Sequence, residues 1–132
     1  MKWDDIISVS GKPGLYVLRG QSKSGVLGES LTDKKKVLAS FFQVSSLNDI
    51  AVFTLDDEVR LPEVITKMYR SEQNGTPVPD KKSDKEKLKA FFKNLIPDYD
   101  EDKFFLSHMK KIVGWYHILK QANLLDELTG KK

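Results

Sequence analysis

Cysteine is absent from all 132 residues, which removes disulfides, thiolate metal ligands and cysteine nucleophiles together and fits a reducing compartment. Arginine is scarce, with only Arg19, Arg60 and Arg70 against 19 lysines. Arginine suits bidentate recognition of phosphates and bases, whereas lysine is the commoner solvating charge, so a nucleic-acid role starts with little support. No apolar stretch approaches the roughly 18 residues that suggest a membrane span. The opening Met-Lys-Trp-Asp-Asp also lacks the apolar core of a signal peptide. These two absences predict a cytoplasmic chain with no membrane partner.

The usual signatures of catalysis are missing too. Gly20 and Gly25 are not followed by the Lys-Ser/Thr of a phosphate loop, and neither Gly-x-Gly-x-x-Gly nor Gly-x-Ser-x-Gly occurs. The two histidines, His108 and His117, stand nine apart on opposite sides of one predicted helix and cannot share a metal there. His108 reads as a hydrogen-bonded residue at a core edge and His117 as a surface one. Asp98, Asp100 and Asp102 have the alternate spacing that opens a calcium loop. Lys103 then stands where such a loop needs glycine and Met109 where it needs a bidentate glutamate, so the run reads as a solvated helix entry. The expectation is no catalytic residue, no metal and no cofactor.

What is present is an ordinary globular composition, 39% hydrophobic and 31% charged, in a chain long enough for one domain or two very small ones. The net charge of +3 belongs to residues 76 to 132, because residues 1 to 75 are neutral. The organising stretch is Gly14 to Leu31, two short runs of β-forming residues split by a polar connector, which predicts a hairpin. Alternation sends Leu15 and Val17 to one face and Tyr16 and Leu18 to the other. A strand apolar on both faces needs cover on both.

Trp3, Ile6 and Ile7 predict a short opening helix. Lys35 to Phe42 predicts a third strand, Ser45 to Asp49 a turn, and Ile50 to Leu55 the clearest strand of all. Val59 to Leu61 makes a brief fifth strand before Pro62 opens a helix, whose apolar stripe is Leu61, Val64, Ile65, Met68 and Tyr69. Ser71 to Lys82 has two prolines and almost no apolar content, which predicts a linker. Ser83 to Glu86 has the pattern of a capping box, with Leu88, Phe91, Phe92, Leu95 and Ile96 forming the stripe behind it. A longer helix starts near Asp100 or at Ser107 and carries Met109, Ile112, Trp115, Tyr116 and Leu119. Asn123 to Leu128 adds a last short turn before Gly-Lys-Lys.

The runs Ser10-Gly-Lys-Pro-Gly-Leu-Tyr, Gly28-Glu-Ser-Leu, Leu47-Asn-Asp-Ile and Met109-Lys-Lys-Ile, with Trp115, Tyr116 and Leu119, span nearly the whole chain. In them the sequence resembles a family of small uncharacterised proteins of Bacteroidetes-type bacteria, known only as a domain of unknown function. The resemblance implies a β-rich front part and a helical back part in a bacterial cytoplasmic protein. It supplies no activity and no functional residues.

The fold expected is α+β: a small SH3-like or Sm-like β-barrel, or a curled antiparallel sheet with a covering helix, followed by a C-terminal helical pair. The parts would be residues 1–72, including a helix at 61–71, a linker at 73–82 and a helical part at 83–132. The expected role is that of a non-catalytic interaction protein, with an unknown protein partner or self-association. Weak candidates for the contact are Trp115, Tyr116 and Leu119, although an aromatic stripe at helical spacing is more often core. The alternative is a nucleic-acid-associated module using Arg19, Lys23, Lys34, Lys35 and Lys36, against which a three-lysine run is more often a solvated turn. An enzyme with an unrecognised site ranks third.

Overall fold

The hairpin forms where the alternation places it. In the computed structural model, which describes Met1–Gly130, β2 (Tyr16–Gln21) pairs antiparallel with β3 (Val26–Ser30), and the ladder shifts register at Arg19, between Leu18 and Gly20. Lys131 and Lys132 of the expected Gly-Lys-Lys tail lie outside the described residues. Around the hairpin run β1 (Ile6–Val9), β4 (Lys36–Ala39) and β5 (Val44–Ser46), in one antiparallel sheet of order β4-β3-β2-β1-β5. Leu15 and Val17 are buried while Tyr16 and Leu18 are half-buried, so β2 is covered on both faces as its composition requires. The ladder does not close: β4 and β5 are its two unpaired edges, so no hydrogen-bonded barrel forms.

Two elements of this sheet depart from expectation. Only Trp3–Asp5 makes a helical turn, of 3₁₀ type; Ile6, Ile7 and Val9 are all buried in β1, as β-branched side chains on alternate faces of a covered strand can be. Ser45 lies in a strand and not in a turn, since β5 pairs Val44, Ser45 and Ser46 with Val9, Ser8 and Ile7. A backbone ladder does not depend on apolar side chains, which is why a Val-Ser-Ser strand escapes a pattern search.

The chain divides into two compact units, Met1–Ile50 with Ile118–Lys132, and Ala51–His117. The division differs from the one expected at 73–82. Residues 73–82 belong to the second unit: Val78 and Pro79 are buried and His117 Nε2 lies 3.0 Å from the Pro79 carbonyl oxygen. A carbonyl can only accept, so Nε2 carries the proton, and His117 is a part-buried anchor in place of a surface residue. The strand read most clearly from the sequence, β6 (Ala51–Phe53), belongs to this second unit as well. It pairs with β7 (Glu58–Arg60) in a two-stranded sheet closed by a turn, in which Thr54 N–H donates to Asp57 O and Asp57 N–H to Thr54 Oγ1. Beyond it, Leu55 N–H donates to Asp98 O and Asp100 N–H to Phe53 O.

Helix α1 (Leu61–Gln73) follows β7 directly and buries Leu61, Val64, Ile65 and Met68, the predicted stripe without Tyr69, which is half-buried. Pro62 is its second residue, where the missing N–H costs nothing. Helix α2 (Lys85–Leu95) is capped by Asp84, whose Oδ1 accepts from Lys87 N–H at 2.8 Å, one residue later than the expected Ser83 cap. Helix α3 (Leu106–Gln121) begins close to the later of the two expected starts, where Phe105 N–H donates to the ring nitrogen His108 Nδ1 at 3.0 Å. Asp100 uses its carboxylate to accept from Asp102 N–H and its carbonyl to hold Lys103 and Phe104, closing a turn ahead of that helix. Helix α4 (Leu125–Thr129) ends at Gly130 with φ 77°.

Inside the second unit, Phe92 is fully buried and sits edge-on to Phe91 at 5.4 Å and to Phe104 at 5.3 Å, and Phe104 meets Tyr99 the same way. Edge-to-face packing lets the positive rim of one ring meet the negative face of the next.

Candidate functional site

The basic residues singled out in the sequence are not gathered into one surface. Lys34, Lys35 and Lys36 are exposed in the β3–β4 turn and at the start of β4. Lys23 is exposed in the β2–β3 turn, at the other end of β3. Arg19, at the register shift, has its guanidinium 3.5 Å from the Glu29 carboxylate. The lysine run is itself a built turn: Lys34 has φ 64°, and Asp33 Oδ1 accepts from Lys35 N–H at 3.0 Å, the bond that chiefly lowers the Asp33 carboxyl below its ordinary range. Asp33 is the cation-run's own counter-charge.

The aromatic candidates lie mostly in the interior. Tyr116 and Leu119 are fully buried, and Trp115 is half-buried. The Tyr116 hydroxyl donates to Glu72 Oε1 at 2.7 Å, joining α3 to α1. Burial first, and then the adjacent Glu72 carboxylate, push this phenol far above its ordinary range, so it stays a donor. Side chains fixed in this way serve packing, and neither Tyr116 nor Leu119 offers an exposed contact.

Three apolar side chains the sequence reading did not select as contacts do stand in solvent. Leu38 on β4 is 66% exposed, Phe41 is 48% exposed and Phe42 is fully exposed in the 3₁₀ turn Phe41–Gln43 that follows. Val37 and Ala39 face the other side of β4, and Ala39 is buried. The signal was present in Val37-Leu38-Ala39 with Phe41-Phe42, an apolar run on both faces of a strand with only one neighbour, β3. The turn's own geometry is set by polar groups: Gln43 Oε1 accepts from Ser40 N–H and Oγ, and Gln43 O accepts from Ser10 N–H at 2.7 Å.

The second unit exposes Phe53, Leu55 and Phe105. Two of these have partial partners, since Lys103 Nζ lies 5.4 Å from the Phe53 ring centroid and Phe105 lies 5.4 Å from the His108 ring. The same unit has an open groove of about 510 Å³ lined by α1, its C-terminal turn and α2. Among the described residues no group of three or more His, Asp or Glu is placed to hold a metal ion, and no helix is long and apolar enough to cross a membrane.

Comparison with known proteins places a boundary near residue 50 as well. A family model described as a domain of unknown function (DUF6852) matches residues 50–119, and another (DUF5606) matches residues 4–47. The chain belongs to the DUF6852 family. It is also similar to a protein of Bacteroides vulgatus whose solution NMR structure comes from a structural genomics consortium, with 36% identity, 91% of this chain and 85% of that one covered, and a TM-score of 0.70. The search of curated proteins returned no match.

Proposed function

We propose that the chain is a non-catalytic, cytoplasmic interaction protein, whose β4 edge and following turn bind an extended segment of a partner protein. The observation that carries this reading is Phe42, fully exposed beside Phe41 and Leu38 in a chain that buries most of its large apolar side chains. A cluster of this kind loses free energy to water and regains it when covered. A β4 strand with one neighbour also has an outer row of backbone donors and acceptors for an incoming strand.

The first unit reads further as an SH3-like curled sheet. β4 and β5 are the opposite edges of the ladder, yet only Ser40–Gln43 separate them in sequence. A flat sheet would hold these edges about 19 Å apart across four strand spacings. A connection with three residues in a 3₁₀ turn reaches only roughly 14 Å, so the sheet has to bend its edges toward one another. That curl sets Phe41 and Phe42 on the connection between the edges.

Nucleic acid is the weaker reading, because Lys23 and the Lys34–Lys36 run are at opposite ends of β3 and Arg19 is paired with Glu29. A photo-crosslinking residue placed at position 42 of the full chain in its native host tests the choice. The expected result is a discrete protein adduct, absent when the residue is placed at exposed Lys85 and lost on Leu38→Ser, with an unchanged melting temperature. An adduct to nucleic acid, or equal background from positions 42 and 85, would overturn it.

A further inference from the structure

The groove in the second unit has a chemistry of its own. One wall is α1 and its C-terminal turn, where Arg70 and Ser71 lie three and four residues beyond Lys67, and Asn74 three and four beyond Ser71 and Arg70, so that the four share a face. The other wall is α2, where Asn94 and Leu95 lie three and four residues beyond Phe91. Thr76 also lines it. No carboxylate lines the groove, in a chain with 19 acidic residues. Glu72, next to this stripe in sequence, is engaged by the Tyr116 hydroxyl. Among the described residues neither Lys67 nor Arg70 has an ion-pair partner.

Both helices end here, and free helix C-termini repel anions. At α1 that effect is spent internally: Asn74 N–H donates to Arg70 O, Gly75 N–H to Glu72 O and Thr76 N–H to Ser71 O, with Gly75 at φ 98° making the reversal. At α2, Ile96 N–H donates to Phe92 O. Two whole positive charges then face a space whose terminal carbonyls are partly satisfied.

We propose that this groove binds a small organic phosphate: the phosphate on Lys67 and Arg70, and an apolar or aromatic body against Phe91 and Leu95, with Asn74 and Asn94 for its polar edge. A planar guanidinium matches a phosphate in a bidentate manner, and the lysine adds a point charge. The volume is within the range of small-molecule sites. The site shares no residue with the β4 patch and does not depend on the proposed interaction role.

Titration of the ¹⁵N-labelled full chain with phenyl phosphate, and separately with inorganic phosphate, tests it. Saturable shifts confined to residues 67–76 and 91–95 are expected, with phenyl phosphate bound about tenfold or more tightly than inorganic phosphate because only it can use the apolar wall. Arg70→Gln with Lys67→Gln should weaken phenyl phosphate about tenfold or more. Asn94→Asp, which keeps the volume and adds a repelling charge, should do the same, each variant keeping the parent melting temperature. Absence of saturable shifts, shifts centred on Lys34–Lys36, equal affinity for the two probes, or variants that bind like the parent would overturn the proposal.

Discussion

The two units bury their aromatic side chains to different extents. In Ala51–His117, Phe91, Phe92, Tyr99, Phe104 and Tyr116 are buried, with the hydroxyl of Tyr116 partnered by Glu72, and only Phe53 and Phe105 stand in solvent, each beside a Lys103 or His108 side chain. In Met1–Ile50 with Ile118–Lys132, the Phe41-Phe42 pair stands in solvent on a turn whose polar groups are well bonded. A helical unit whose three longest helices each turn a stripe inward can close over its rings. A five-stranded sheet with unpaired edges leaves apolar groups at its margin unless something else covers them. The proposed contact rests on the exposed Phe41-Phe42 pair, whereas the aromatic stripe of α3 is packed inside.

The largest effect that would test this contrast is Phe92→Ala. Removing a fully buried ring with two edge-on partners should cost about 3–5 kcal/mol in denaturant unfolding. Phe42→Ala in the other unit should remain within about 0.5 kcal/mol. Similar losses at both positions would erase the distinction.

Next in size is Gly25→Ala. A Cβ on Gly25 would overlap the Ala39 carbonyl oxygen, a backbone atom that cannot swing aside, so the variant should lose about 1–3 kcal/mol. Hydrogen exchange should show the loss in β3 and β4 while α1, α2 and α3 keep their protection. Uniform loss over both units would mean that they open together.

A smaller effect is expected for Tyr116→Phe, which strands the Glu72 carboxylate without this donor and should cost about 1–2 kcal/mol near neutral pH. Its pH dependence has a definite sign. The folded phenol is raised far above its ordinary value by burial and by Glu72, so its contribution is complete below about pH 10, where an unfolded tyrosine ionises, and falls as the pH rises beyond that. The parent should therefore lose stability more steeply than Tyr116→Phe in unfolding curves above about pH 10. Parallel alkaline declines would show that Tyr116 does not govern this range.

Much of the architecture was legible because local pattern and local structure agree. The β2–β3 hairpin, the stripe of α1 and the stripe of α2 are all written at spacings of two or of three and four, and their apolar positions are largely buried. Where the reading departed, the deciding bond came from elsewhere in the chain. β5 exists because β1 supplies a ladder to Val44–Ser46; the Asp84 cap, which took the place of Ser83, is the local exception, a choice between two adjacent competent acceptors. His117 read as a surface residue because its helix turns it away from the Met109–Tyr116 stripe, but Pro79, 38 positions earlier, accepts its hydrogen bond.

The sequence by itself determined the secondary-structure types of most elements, the exclusion of cysteine chemistry and the need of β2 for cover on both faces, since each follows from side-chain identity and spacing along a few turns. Tertiary structure alone decided that β6 leaves the main sheet, that residues 73–82 belong within a unit, that Tyr116 and Leu119 are interior, and that Leu38, Phe41 and Phe42 are not. The physical reason is that periodicity tells which side chains share a face. Whether a face is covered depends on which distant strand or helix pairs with it, and at the β4 edge no strand of this chain does.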